Sequence, residues 1–218
     1  NMKILGIIPA RGGSKGIPKK NIKLLNGKPL ITYTIEAALS SKLDRVIVST
    51  DCEEIASISK EYGAKVMMRP SHLAEDNTPT LPALQDIVEK LNEKYDAIMT
   101  LQSTSPLRTI EDINNSIKLF KSDKDADSLV SVVEVPHSFI PEKLMSYDGK
   151  YLTGSIEAKR RQDVSTMYAR NGAAIYITKT EKLSEYIFGG KILPYFMSKV
   201  NSFDIDDMED WEIVERLV

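Results

Sequence analysis

One junction constrains the fold more than any other stretch of this chain. The apolar run Ile4-Leu5-Gly6-Ile7-Ile8 leads directly into Pro9-Ala10-Arg11-Gly12-Gly13-Ser14-Lys15-Gly16-Ile17-Pro18-Lys19-Lys20-Asn21. Five short, β-prone apolar residues read as a buried strand. The following residues cannot continue it, because proline removes a donor and the glycines open backbone angles that other residues avoid. Into that turn the chain places Arg11, Lys15, Lys19 and Lys20, and no acidic residue occurs before Glu36. A Gly-rich, exclusively basic loop at the carboxyl end of a strand suits a polyphosphate. Its N–H groups can approach phosphate oxygens closely while the cations offset the charge.

The basic character is local. The chain of 218 residues carries a formal net charge of only −2, which argues against a nucleic-acid partner, whose recognition normally wants a basic face over the whole domain. A hydrophobic fraction of 42% is ample for a core. No apolar stretch is long enough to span a bilayer and none reads as a secretory leader, so neither a membrane partner nor export is expected. The single Cys52 excludes an internal disulfide and fits a cytoplasmic location.

Strand and helix signals alternate. Strands are expected at Arg45 to Ser49, Lys65 to Met68, Asp96 to Leu101, Ser128 to Val135 and Ala173 to Ile177. Helices are expected at Pro29 to Ser40, Cys52 to Tyr62, Pro79 to Asn92, Thr109 to Phe120 and Asp207 to Leu217, with Thr109 and Asp112 in capping-box positions. Such alternation with near-continuous apolar strands predicts an α/β fold: a three-layer, mainly parallel, doubly wound sheet. Residues 2–218 read as one domain. Within it, residues 136–170 are polar and turn-rich, with Tyr147-Asp148-Gly149-Lys150 as a hairpin, and read as an excursion of the kind that forms a lid or a subunit contact.

The basic loop is neither a Walker A loop nor a dinucleotide fingerprint. A second cluster is Ser202-Phe203-Asp204-Ile205-Asp206-Asp207. In an extended segment Asp204 and Asp206 project to one side, offering hard oxygen ligands to Mg²⁺. Capping of the last helix is the competing use, and it fits Asp207 onward better than Asp204. A third is Gln102-Ser103-Thr104-Ser105-Pro106-Leu107-Arg108, a set of hydrogen-bonding groups at a strand's carboxyl end, where open α/β sheets place ligands. On its own it also fits a loop with a helix cap. His72 and His137 are isolated, and Cys52 has no nucleophile motif around it. Lys159-Arg160-Arg161 forms a cationic patch in the excursion.

These motifs together resemble those of the acylneuraminate cytidylyltransferases, the CMP-sialic acid synthetases. The matching segments are Ile8 to Gly16 with Lys20-Asn21, Ser49-Thr50-Asp51, Arg69-Pro70 with Asp76, Gln102 to Arg108, Arg161-Gln162, Asn171-Gly172-Ala173 with Ile175-Tyr176, and Asp204-Ile205-Asp206, in the family's order across essentially the whole chain. The resemblance implies a Rossmann-like nucleotidyltransferase fold. It implies the reaction of CTP with an acidic nine-carbon 2-keto sugar to give CMP-sugar and pyrophosphate with Mg²⁺. It also implies a homodimer in which the excursion reaches the other subunit's site. Carried over by position, Ala10, Arg11, Gly12, Gly13, Ser14 and Lys15 hold the triphosphate, while Lys20 and Asn21 contact the α-phosphate and ribose. Arg69 and Thr80 help hold the nucleotide. Gln102, Thr104, Arg161, Tyr176 and Phe188 face the sugar acid, and Asp204 and Asp206 hold the metal. The catalytic set is Arg11, Lys15, Lys20 and Asp206, with Asp206 also the candidate proton acceptor.

One departure stands out. Members often carry an arginine two residues before the Asn-Gly-Ala segment, where this chain has Ala169; Arg170 follows one position later. A shift by one in an extended segment reverses the side chain's direction. Neuraminic, legionaminic and related acids are all candidate substrates, with a bacterial legionaminate type preferred. A Kdo or sugar-phosphate nucleotidyltransferase is the alternative among enzymes, and a non-catalytic nucleotide-binding regulator the alternative outside them.

Overall fold

A computed structural model describes the chain except Ala158, Asn171 and Ala173. Strand β1 (Ile4–Pro9) is buried at every residue. After the basic loop, β2 (Leu24–Leu25) and β3 (Lys28–Pro29) form a small hairpin. Its turn, Asn26-Gly27, has φ of 45° and 81°, the paired positive angles that Asn-Gly supplies readily. The chain continues through α1 (Leu30–Leu39), β4 (Arg45–Thr50), α2 (Glu53–Glu61), β5 (Lys65–Met68), α3 (Thr80–Lys90), β6 (Ala97–Thr100), α4 (Ile110–Ser122) and β7 (Ser128–Glu134). It then passes through β8 (Met145–Tyr147), β9 (Leu152–Gly154), β10 (Tyr168–Ala169), β11 (Tyr176–Lys179), β12 (Ile192–Phe196) and α5 (Met208–Glu215).

The strands β5, β4, β1 and β6 lie side by side and parallel. β11 runs antiparallel between β6 and β7, β12 pairs parallel with β7, and β10 continues antiparallel along β7 with Tyr168 opposite Glu134. The sheet separates its side chains by the two-residue period of a strand. Ile4 and Ile8 of β1 enter a core with Ile31 and Ile35 of α1, Ile55 of α2, and Ile113, Ile117 and Phe120 of α4. Leu5 and Ile7 face the other way, against Leu84 and Ile87 of α3. Helices on both faces make the three layers. Each fully buried side chain of this size contributes about 1.5–3 kcal/mol. A third cluster joins Ile17, Leu25, Leu30, Ile205, Trp211 and Val214, so α5 packs beneath the basic loop.

The chain proceeds from β1 outward to β4 and β5, then returns to lay β6 on the opposite edge of β1. Strand order therefore reverses at β1, and a crevice opens between the loops that leave β1 and β6, the usual ligand position in such sheets.

The expected capping box of α4 is present, with Thr109 and Asp112 each bonding the other's backbone. The hairpin expected at 147–150 is β8–β9, its turn held by the Asp148 carboxylate accepting from Lys150 and Tyr151 N–H. Strand β12 was not foreseen, because Pro194 sits within it. On an outer strand, proline costs no ladder bond on the open side. Ala173, expected to begin the strand now seen as β11, lies outside the described residues, as does Asn171. All residues of β8 and β9 are exposed, as are the apolar side chains of Phe139, Tyr151 and Ile156. Among the described residues no helix is long and apolar enough to cross a membrane.

Candidate active site

The loop after β1 is folded by its own polar groups. Lys19 takes the left-handed conformation, φ 51° and ψ 38°, which turns the chain into Lys20. The Ser14 hydroxyl donates to the Ile17 carbonyl at 2.6 Å and accepts from the Lys20 N–H at 3.1 Å. The Asn21 amide donates to the Arg11 carbonyl at 3.2 Å and accepts from the Ser103 hydroxyl, tying the loop to the end of β6. Gly12 N–H donates to the Asp51 carboxylate at 2.8 Å, and Ala10 N–H donates to the Ser49 carbonyl at 2.8 Å. Glycine is required at position 16, where a Cβ would stand 2.5 Å from the Asp206 carbonyl oxygen.

This loop forms one wall of a cleft of about 350 Å³. Arg11, Ser14, Lys15, Lys20, Asn21, Arg69, Thr80, Gln102, Thr104 and Asp206, all singled out in the sequence, line it together. Ala10 is buried beneath the loop, while Gly12 packs against Cys52 and Gly13 is open. Arg11 and Lys15 share Asp76, at 3.4 Å for the lysine, and Arg11 and then Lys15 hold that exposed carboxyl below its usual range. Asp76 was noticed in the sequence only as part of a motif. Its pairing shows that both cations point to one place.

Arg69 is buried and donates to the carbonyls of Ser49 at 3.0 Å and Leu73 at 3.1 Å, and burial pulls its pKa down. It therefore fixes the segment carrying Asp76 as well as facing the cleft. The amino end of α3, at Pro79 and Thr80, also lines the cleft and has no side-chain cap, leaving backbone N–H groups for an anion.

Arg108 is buried, donating to the carbonyls of Gln102 and Ser105, each at 3.1 Å, and to the Thr34 hydroxyl at 3.0 Å. Burial pushes its pKa down to about 9 against the favourable charge of Asp112. It clamps the loop that presents Gln102 and Thr104. In the sequence it appeared only as the last residue of a hydrogen-bonding cluster.

The segment 204–206 closes the cleft from α5. Ile205 is buried, and its N–H donates to the Thr104 carbonyl at 2.9 Å; its own carbonyl accepts from Lys20 Nζ at 3.0 Å. Asp207 caps α5 in a reciprocal box with Asp210, so capping does not account for Asp204 or Asp206. Asp206 lines the cleft, and Asp204 stands behind it, half-buried. Burial pushes the Asp204 carboxyl up; Thr104 and Lys20 oppose this, and the charge of Asp206 adds to it. Its Oδ1 is buried with no hydrogen-bond partner among the described residues. Two neighbouring carboxylates with an unsatisfied buried oxygen fit a hard divalent cation. Among the described residues no group of three or more His, Cys, Asp or Glu could hold a metal, so phosphates and water would complete its shell.

Tyr176 and Phe188 stack at 5.2 Å between ring centroids, outside the lining of the cleft but connected to it. The Tyr176 hydroxyl donates to the Gly172 carbonyl at 3.1 Å. A Cβ at Gly172 would lie 2.7 Å from the Asp204 carboxyl carbon, so the two residues are in direct apposition. Arg161 stands apart, lining a separate recess with Glu134, His137 and Met167. The single chain does not bring it to the cleft.

A doubly wound sheet with a basic loop at its switch point and an acidic pair beside that loop defines a nucleotidyltransferase. The model of the family described as "Cytidylyltransferase" matches residues 5–211, and the chain belongs to that family. It is 36% identical over 217 residues to the N-acylneuraminate cytidylyltransferase of Escherichia coli O18:K1:H7, covering 97% of this chain and 51% of the relative. It is 35% identical over 231 residues to the CMP-N,N'-diacetyllegionaminic acid synthase of Legionella pneumophila, covering 100% of this chain and 97% of that one. The chain thus spans about half the length of the first relative and nearly all of the second. Among solved structures, a CMP:2-keto-3-deoxy-manno-octonic acid synthetase complexed with CTP superposes with a TM-score of 0.75 at 19% identity, covering 99% of this chain and 98% of that one. At that identity the likeness shows the fold alone.

Proposed function

We propose that the chain transfers a cytidylyl group from CTP to an acidic nine-carbon 2-keto sugar, giving CMP-sugar and pyrophosphate. One observation carries the reading: Arg11, Lys15 and Lys20 of the basic loop, with Arg69, line a single cleft together with Asp206, and Asp204 behind it keeps a buried oxygen without a partner among the described residues. Arg11, Ser14 and Lys15 hold the leaving pyrophosphate portion. Lys20 and Asn21 hold the α-phosphate and ribose, and Arg69 and Thr80 support the nucleotide. Gln102 and Thr104 hydrogen-bond the sugar. The anomeric oxygen attacks the α-phosphorus in line with departing pyrophosphate, so positioning and charge neutralisation dominate.

Asp204 and Asp206 would hold Mg²⁺, which when bound stabilises phosphate charge and lowers the pKa of the attacking hydroxyl. Asp206, on the cleft surface, would receive the proton. Neuraminic-type and legionaminate-type acids are both candidate substrates, since relatives named for each are 36% and 35% identical to this chain. The exposed apolar hairpin β8–β9 suits a homodimer contact within a single-domain chain, and Arg161 would then serve the sugar site of the second copy. Use of a cellular CTP pool fits a cytoplasmic location.

The test is pyrophosphate release with each of the four NTPs against a panel of keto-sugar acids and Mg²⁺. Release is expected only with CTP and a nine-carbon acid. Preference for an eight-carbon acid or a sugar phosphate would replace the substrate, and CTP binding without turnover would leave a regulator.

A further inference from the structure

Arg170 occupies an unusual position for a charged residue that belongs to no ion pair among the described residues. Its guanidinium carbon stands 4.5 Å from the centroid of the Phe188 ring, and its Nη1 donates to the Tyr176 hydroxyl at 3.3 Å. The Phe188 ring is itself held against Tyr176, which Gly172 anchors through its carbonyl. One face of the guanidinium is covered and one corner is tied, while the residue stays exposed. A planar cation fixed in this way has lost rotamer freedom before any ligand arrives, and its remaining donors form a fork that matches a carboxylate.

Two hydrogen bonds, through Tyr176 and Gly172, and the close apposition of Gly172 to Asp204 connect Arg170 to the carboxylate pair. This placement matters for the proposed substrate. In a 2-keto sugar acid the carboxylate and the attacking anomeric hydroxyl share one carbon. Whatever reads the carboxylate must therefore lie beside the groups that handle that hydroxyl. Arg161 in the same chain lines a different recess.

We infer that Arg170, stacked on Phe188 and tied to Tyr176, reads the carboxylate of the sugar acid from within the same subunit and is the residue that excludes neutral sugars. The residue one position earlier is Ala169, whose β10 strand pairs with β7, so the recognising cation sits at the position where the chain has left that pairing. The inference rests on the function proposed above and deepens it.

The test compares wild type, Arg170→Ala and Arg170→Lys on the nine-carbon acid that wild type uses best and on that acid's C1 methyl ester. Wild type should favour the acid strongly. Arg170→Ala should raise the KM for the acid by about tenfold or more, by loss of a charged carboxylate partner. Its KM for CTP should stay within about twofold of wild type, and the acid-over-ester preference should collapse. Arg170→Lys should recover only part of the preference, because a point charge lacks the planar fork. Millimolar guanidinium should restore acid turnover to Arg170→Ala, an effect that a merely structural stacking role would not produce. If Arg170→Ala does not fold, Arg170→Gln carries the same comparison. Retention of the acid-over-ester preference in the folded variant overturns the inference alone. Failure of wild type to form any CMP-sugar overturns the parent reading and this inference with it.

Discussion

Replacing Gly16 by alanine adds one methyl group at the tightest point between the basic loop and the acidic segment. The new Cβ would stand 2.5 Å from the Asp206 carbonyl oxygen, nearly 1 Å inside the 3.4 Å at which ordinary contact begins. The obstructing atom is backbone, so no side chain can swing away. Either the loop or the 204–206 segment must move by most of that distance. Lys20 Nζ and the Ile205 carbonyl, now 3.0 Å apart, lie on the two sides of the displaced junction. A misplacement of about 1 Å in a reacting geometry costs roughly a hundredfold in rate. Overpacking of this kind lowers stability by about 1–3 kcal/mol, so the fold should survive. The expected outcome for Gly16→Ala is about a hundredfold loss of kcat/KM in a pyrophosphate-release assay, with a melting transition lowered by roughly 2–12 °C. Gly13→Ala is the control, since nothing lies within 4 Å of a Cβ there, and it should retain most activity. Wild-type activity in Gly16→Ala, or an equal loss in both variants, would refute the claim that the loop and the acidic segment must meet this closely.

Asp204→Asn removes one charged oxygen from the acidic pair and should lower kcat by about a hundredfold; a Mg²⁺ titration on the folded variant should show weakened dependence, and an unchanged titration would argue against a metal role. Lys20→Ala should lower kcat with a modest change in the KM for CTP, because charge builds at the α-phosphate during the reaction; steady-state kinetics in both substrates will show the split. Arg108→Ala leaves the Gln102 and Ser105 carbonyls and the Thr34 hydroxyl without their buried donor, and should cost about 3 kcal/mol or more in urea unfolding. Asp127 is held below the usual carboxylate range, first by the Lys191 N–H at 2.8 Å and then by nearby lysines. A depressed folded pKa means that the unfolded chain takes up the proton first, so this stability is present at neutral pH and lost as pH falls from the usual carboxylate value through the folded one. Melting curves between pH 6 and 3 should therefore be flatter for Asp127→Asn than for wild type.

The elements that carried strong periodic or compositional signals were legible in the sequence. Strand β1 announced itself by an unbroken apolar run, and α4 by its capping box, because both depend on neighbours within a few residues. The convergence of Arg11 and Lys15 on Asp76 was not legible, since it joins residues 65 and 61 positions apart across two loops. The burial of Arg108 was hidden for the opposite reason: an arginine after a polar loop normally reads as exposed, and only the surrounding carbonyls and Thr34 show otherwise. Pro194 masked β12, since a proline within a short strand argues against pairing unless an edge is known. The spacing of Asp204 and Asp206 left capping and metal binding open. The observed Asp207–Asp210 box supplies the cap, leaving the two earlier carboxylates for another task.

The proposed reaction is direct attack of the sugar's anomeric oxygen on the α-phosphorus of CTP. It is tested most directly with a nine-carbon keto-sugar acid carrying ¹⁸O in the anomeric hydroxyl, incubated with CTP, Mg²⁺ and the protein, followed by mass analysis of both products. Direct attack retains the label in the CMP-sugar and leaves none in pyrophosphate. An unlabelled CMP-sugar, or label appearing in a phosphate product, would contradict it.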